Sequence, residues 1–563
     1  MNQSEVAATP QAGIGGRHKR LMARTVLISF FTAVSRVFGY GREALTAALF
    51  GDTSAVYDAF VTAWRVPNLF RRLLGEGAVS VSLVRAMTKE DHERGNDAGR
   101  ALMWETLRLA ARILFALTVL VMGAVALMPD TMPMTGWRWL GDDAAVMREL
   151  TVHVAPYVIV ICLAGLAGGA LSVRERFIAA SAGPGVMNAI AIATLVLIGW
   201  RFGWEGLAPV DGAAGRERHL DMARWLSWGL LASGAAQLAL LVPELRAAKL
   251  LERATPSPKV RAKAVEVLKT SLPLALGAAV YQINVLVDSF MANNLLEIGG
   301  ASTYYYANRI QQLPLALVAT AATSAVFPAM QALAQTRSFG ELRRLHEQTH
   351  LGVAFIALPA SVGLFVLATP VTSVLLEHGA FSERGVERTA DAITMLCIAL
   401  VPGGAVSLIT RAYWALGDYR TPVKVAVAML VLNVLLNLAF VVGLDMDTGG
   451  LALATAVVSW LNVAVLVPGL NRRLREREGG EVAGLPDLGA RVVRIAAASA
   501  ASGLAAYQIW SALDVERGSA FGLFVAIAAG ITTYVIAAQL LGSPEWRSAR
   551  ERVIARLRHR GAR

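Results

Sequence analysis

The stretch Asp58-Ala-Phe-Val-Thr-Ala-Trp-Arg65-Val-Pro67-Asn68-Leu-Phe-Arg71-Arg72-Leu-Leu-Gly-Glu76 is apolar at most of its positions and still carries five charges. It lies inside a longer apolar segment, 54–88, of the length that crosses a bilayer as a helix. A charge at membrane depth costs several kcal/mol, so such side chains face a cavity or a partner rather than lipid. Asp58, Arg65 and Arg72 are seven residues apart, which drifts by only about 20° per step on a helix. Glu76 stays on the same face, while Pro67 removes a backbone donor and is expected to kink the helix.

The same pattern extends along the chain. Of 563 residues, 55% are hydrophobic and only 17% charged, with a mean hydropathy of +0.51, which excludes an ordinary soluble domain. Apolar segments from 25–48 to 519–541 predict an all-α polytopic membrane protein of about fourteen transmembrane helices. The net charge of +12 sits mostly in connections, so it reads as membrane orientation and not as nucleic-acid binding. The connections 49–53, 297–300 and 444–448 contain no Lys or Arg. Arg246, Lys249, Arg253, Lys259, Arg261 and Lys263 crowd one opposite connection, and Arg472, Arg473, Arg475 and Arg477 another. Both termini are therefore expected in the cytoplasm. Residues 1–24 form a basic cytoplasmic tail rather than a cleavable signal, and 542–563 a second basic tail suited to anionic lipid.

Ala63-Trp64-Arg65-Val66 recurs weakly as Ala307-Asn308-Arg309-Ile310, each followed by Pro or Leu-Pro and, further on, by Ala-Met. Such a repeat is what an alternating-access carrier of two matched bundles leaves in its sequence. Arg36, Arg42, Arg65, Arg71 and Arg309 are spread over three apolar segments, and guanidinium forks suit phosphate. No phosphate-binding GxxxxGK[ST] loop occurs. His346-Glu347-Gln348-Thr349-His350 matches HExxH, but it follows Arg343-Arg344 at the mouth of a span and has no third ligand, so a metalloprotease is not expected. Cys162 and Cys397 sit within apolar spans and read as packing residues.

Ser35-Arg36-Val37-Phe38-Gly39-Tyr40-Gly41-Arg42-Glu43-Ala44, Tyr57-Asp58-Ala59-Phe60 and Pro67-Asn68-Leu69-Phe70-Arg71-Arg72-Leu73-Leu74-Gly75-Glu76-Gly77-Ala78 resemble the signature of the MurJ (MviN) family. Tyr305-Tyr306-Ala307-Asn308-Arg309 and Gly417-Asp418-Tyr419-Arg420-Thr421-Pro422 are similar to its later motifs. The resemblance implies a flippase for lipid II, the polyprenyl-pyrophosphate precursor of peptidoglycan, in the bacterial inner membrane. It implies a MOP-superfamily fold with an N-lobe at 25–246, a C-lobe at 265–470 and a lipid-tail groove at 489–541. It assigns flipping to Arg36, Arg42, Asp58, Arg71 and Arg309; the charge pattern adds Arg65, Arg72 and Glu76 to the substrate site. Asp58 and Glu76 are expected to orient the arginines or gate the cavity. Some relatives bind sodium, which would fall here on Asp288, Asn433, Asn437 and Thr455, with Asn437 in place of an expected Asp. Asn308 and Gln312 likewise stand where acids are common. No other cofactor is expected, and the partners implied are lipid II, membrane lipids and the cell-wall synthesis machinery. The alternatives are a flippase for another polyprenyl-linked oligosaccharide or a MATE-type exporter; the latter would want acids for cationic drugs.

Overall fold

The structure, a computed structural model, describes residues 31, 34–75, 77–129, 144–204, 212–252, 257–513 and 515–561. Helix follows helix, and no strand occurs among the described residues. We number the helices in chain order: α1 at 34–50, α2 Ala55–Phe70, α3 Ala78–Arg94, α4 Asn96–Leu127, α5 Ala144–Val154, α6 Tyr157–Val173, α7 Ile178–Phe202 and α8 Ala213–Ala247. They continue with α9 Pro258–Leu295, α10 Gly300–Gln335, α11 Phe339–Val366, α12 Ala368–Leu376, α13 Glu383–Ile398, α14 Leu400–Ala415, α15 Arg420–Asn437 and α16 Thr448–Glu478. The last three are α17 Leu488–Ala512, α18 Ala520–Leu540 and α19 Pro544–Gly561.

Nine described helical stretches are long and apolar enough to cross a membrane, or ten if the pair α13–α14, bent by 42°, is one span. Large apolar side chains cover the outside: Leu120 is 66% exposed, Trp200 80% and Phe524 70%. Such a surface would be an aggregation site in water and is ordinary against lipid.

Several segments read as single spans are interrupted. The segment 54–88 passes straight through Pro67 and breaks four residues later, in the π-helical turn Arg71–Gly75. Pro67 cannot donate to the carbonyl one turn before it, and the wide π-turn follows directly after α2. The turn packs backbone to backbone on α6: a Cβ at Gly165 would lie 2.9 Å from the Gly75 Cα. The single-face register expected for Asp58, Arg65, Arg72 and Glu76 therefore ends at Arg71, and Glu76 lies outside the described residues. Similar breaks fall at Ala155-Pro156, Leu367 and Ala399, inside the segments 149–173, 348–376 and 387–416.

Helix starts follow local chemistry. Ser54, Ser257, Ser382 and Ser519 each accept a backbone N–H at the start of α2, α9, α13 and α18. The Gly417–Pro422 motif is also a helix start. Gly417 takes φ +77°, Asp418 accepts the N–H groups of Arg420 and Thr421 at 3.1 Å each, and Pro422 enters the first turn of α15. Arg473 closes on Asp418 at 2.7 Å. Burial opposes ionisation of Asp418, but the Thr421 and Arg420 hydrogen bonds and the Arg473 charge hold its carboxyl below the ordinary value.

Helices α2–α8 pack mainly on one another, as do α10–α16, while α9 crosses to lie on α2, α3 and α4. The α17–α18 hairpin leans on α11, where the Tyr534 hydroxyl donates to the Phe355 carbonyl at 2.6 Å. The HExxH segment serves this joint. Glu347 accepts from Arg343 Nε at 2.8 Å and from the Leu485 N–H at 2.5 Å, while His346 and His350 meet each other through Nε2 at 3.0 Å. No group of three metal-binding side chains occurs among the described residues.

Candidate functional site

At one end of the molecule, residues of the first bundle cap helices of the second. Asp58 on α2 accepts the Gly299 N–H at 2.6 Å and the Ser302 N–H at 2.7 Å, at the start of α10. Asp52 accepts the Ser382 N–H and hydroxyl, both at 2.7 Å, at the start of α13. A carboxylate at a helix N-terminus satisfies orphan donors and meets the positive end of the dipole. Arg388 braces the joint from the other side by binding the Ile298 carbonyl at 2.9 Å and Asp447 Oδ1 at 2.8 Å. Both Asp52 and Asp58 are buried, so this end is sealed.

Behind the seal lies a cavity of about 280 Å³. Arg36 and Glu43 from α1, Arg71 from the π-turn, Asn188 from α7, and Arg309 and Gln312 from α10 line it. Arg36, Arg71 and Arg309, far apart in sequence, thus share one space. Among the described residues Arg36 makes no hydrogen bond or ion pair. Arg71 is steered by Asn68, whose Oδ1 accepts from its Nη2 at 2.9 Å.

Glu43 is the hub that the sequence reading left without a role. Its carboxylate pairs with Arg42, takes Arg309 Nε at 3.1 Å and accepts the Tyr305 hydroxyl at 3.1 Å. Asn188 holds Arg42 from the opposite side at 3.2 Å and donates to the Ser35 carbonyl at 2.8 Å. Glu43 thus holds Arg42 and Arg309 and Asn188 also holds Arg42, while Asp58, expected to orient the arginines or gate the cavity, caps the start of α10. Only the Ser-Arg-x-x-Gly-x-Gly-Arg-Glu spacing, which puts Glu43 one turn from Tyr40 and seven residues from Arg36, hinted at it.

Arg65 does not reach the cavity wall. It is 8% exposed, and its guanidinium lies 5.1 Å from the centre of the Tyr305 ring. Arg309 lies 6.0 Å from the same ring. The two arginines that the weak repeat aligns therefore share one aromatic ring, a placement that lowers the cost of a buried Arg65 beside a half-buried Arg309. Arg72, one residue past Arg71, is not among the cavity-lining side chains.

The proposed ion ligands converge in part. Asn437 donates to Asp288 Oδ1 at 2.9 Å and to Asn433 Oδ1 at 3.0 Å, while Asn284 donates to Asp288 Oδ2 at 3.2 Å. Asn437 Oδ1 and Asn433 Nδ2 are buried without partners. Thr455 Oγ1 lies 3.4 Å from the Tyr304 hydroxyl. One carboxylate, an orphaned amide oxygen and neutral oxygens suit a hard monovalent cation better than a divalent one.

The family model described as lipid II flippase MurJ matches residues 46–526. The chain belongs to the lipid II flippase MurJ family. It is 30% identical over 468 residues to the probable lipid II flippase MurJ of Vibrio cholerae serotype O1, covering 80% of this chain and 83% of that one. Its fold matches a lipid II flippase MurJ in an inward closed conformation, with TM-score 0.70, 21% identity, and 92% and 98% of the two chains covered. An inward-facing multidrug resistance MATE family transporter of the MOP superfamily matches with TM-score 0.62 and 13% identity, over 79% of this chain and 96% of that one. The polytopic helical fold of the MurJ and MATE transporters is thereby established for this MurJ-family chain.

Proposed function

We infer that this protein is a lipid II flippase, a transporter and not an enzyme, that works by alternating access in the bacterial cytoplasmic membrane. The observation that carries the reading is the convergence of Arg36, Arg71 and Arg309 on one cavity sealed at one end. Three guanidinium groups with one facing carboxylate, itself already paired, suit a pyrophosphate and repel a cationic drug. Arg42 is held by Glu43 and supports the set from behind. Arg65 supplies positive charge beneath Tyr305, and Arg72 belongs to the turn that carries Arg71.

The sealed end is the outward one in this reading, with fourteen crossings and both termini in the cytoplasm. Two lobes, 25–246 and 265–470, rock about the cavity, and the α17–α18 hairpin within 489–541 offers the polyprenyl tail a groove beside α11. The flipped substrate would pass to the cell-wall synthesis machinery. Single cysteines at Thr53, Glu297 and Leu444 are expected to react with an impermeant maleimide from outside, and those at Ser257, Arg337 and Gly480 are not. Reversal of two of these sites overturns the orientation.

Energy comes from outside the chain. An anionic headgroup leaving an inside-negative cytoplasm gains about 2.3 kcal/mol per net charge at 100 mV. Sodium at Asp288, Asn433, Asn437 and Thr455 would add a second source. Asp288→Ala is then expected to remove sodium-induced thermal stabilisation in detergent, and an unchanged sodium response rejects that site. Complementation tests the function as a whole: the chain is expected to restore growth when a known lipid II flippase is depleted, and failure despite normal insertion counts against it.

A further inference from the structure

Besides its arginines, the cavity of about 280 Å³ is lined by neutral polar side chains, and these divide into two sets. Ser35 and Asn188 are engaged. Asn188 donates to the Ser35 carbonyl at 2.8 Å and to its hydroxyl at 3.4 Å, and accepts from Arg42 at 3.2 Å. Tyr40 on α1 and Gln312 on α10 are half-buried against the same space. Among the described residues, neither the Tyr40 hydroxyl nor the Gln312 carboxamide makes a hydrogen bond. Each stands one helical turn from a guanidinium that lines the cavity, Tyr40 four residues after Arg36 and Gln312 three after Arg309. Side chains so spaced are neighbours, about 5–6 Å apart at Cβ. A phosphate is served by the charged donors. A hydroxyl beside one arginine and a carboxamide beside another add no charge, and they offer hydrogen bonds to a neutral polar group.

We propose that Tyr40 and Gln312 form the contact for the sugar that carries the pyrophosphate, an N-acetylated amino sugar, with its acetamido group on Gln312 and a ring hydroxyl on Tyr40. The proposal rests on the lipid II reading and adds to it a site for the neutral part of the headgroup. Placement favours the sugar: whatever is bonded directly to a pyrophosphate held by Arg36 and Arg309 lies within one helical turn of both side chains. Chemistry favours the acetamido group, because a carboxamide presents N–H and C=O side by side and pairs with another amide. Size favours a single ring. Sites that enclose a whole small molecule hold about 300–1,000 Å³, so this smaller cavity takes the charged end of the headgroup and the ring next to it. The amide at 312 also preserves charge. A carboxylate there would stand one turn from Arg309 and offset it, whereas Gln312 leaves that charge to the phosphate.

Binding of three ligands to the purified full chain in detergent tests this. They are complete lipid II, polyprenyl pyrophosphate without sugar, and lipid II with a hydroxyl in place of the acetamido group on the pyrophosphate-linked sugar. Tyr40→Phe and Gln312→Leu are each expected to weaken lipid II about fivefold, the net worth of one neutral hydrogen bond. Both are expected to leave the sugar-free lipid unchanged, which also shows that the variants fold. The hydroxyl analogue is expected to bind the wild type about fivefold more weakly than lipid II does, and to be indifferent to Gln312→Leu. Equal weakening of lipid II and the sugar-free lipid would make the two residues structural, and unchanged lipid II affinity in either variant would leave that residue merely wetted. Either result overturns the assignment, as does further weakening of the hydroxyl analogue by Gln312→Leu. If the wild type does not bind lipid II, the lipid II reading itself falls.

Discussion

Arg309→Ala is expected to lower the rate of lipid II flipping by at least about a hundredfold, the usual cost of deleting one preorganised donor to a developing or desolvated anion. Two losses combine. The cavity loses one of the three guanidinium groups that line it, and Glu43 loses one of its two ties from α1 to α10. Arg309→Lys keeps the charge without the paired donors, so it is expected to fall between, about tenfold below wild type. The same ordering is expected for Arg71, whose fork is aimed by Asn68. Flipping measured on variants that insert and melt like the wild type checks this, and equal rates for Lys and Ala would show that only charge, or only structure, is at issue.

Asp58→Ala is the second large effect, and its direction is different. The substitution leaves the buried N–H groups of Gly299 and Ser302 without an acceptor, a penalty of about 3 kcal/mol against the sealed state. A shift of that size changes the balance between sealed and open forms more than a hundredfold. A cysteine at Ala301, 3% exposed behind the seal, is expected to react with impermeant maleimide far faster in Asp58→Ala than in the parent. Asp58→Asn keeps one acceptor oxygen and is expected to fall between them. Unchanged labelling would mean that Asp58 does not hold the seal.

Much of this was legible before any coordinates. Charges inside apolar segments announced a cavity because lipid tolerates them nowhere else, and Arg36, Arg71 and Arg309 do share one. The pairing of Arg65 with Arg309 was visible as a four-residue echo, and the structure gives it meaning through Tyr305. Roles were harder to read. A carboxylate orients whichever group it faces, and sequence spacing does not reveal that Glu43 faces Arg309 across 266 positions while Asp58 faces the start of another helix. Asn188 carries no pattern at all, since a neutral polar residue in an apolar helix usually just packs. The break after α2 was misplaced because proline is a louder signal than a π-turn, whose only trace is the close approach of Gly75 to Gly165.

The most direct test of the arginine cavity is flipping of fluorescent lipid II in proteoliposomes under an imposed potential, negative on the side from which substrate is drawn. Wild-type protein is expected to move it, and to move it faster as the potential rises. Arg36→Ala, Arg71→Ala and Arg309→Ala are each expected to lose most of that transport while inserting normally. Full transport by all three variants, or transport by the wild type that ignores both the potential and every ion gradient, would contradict it.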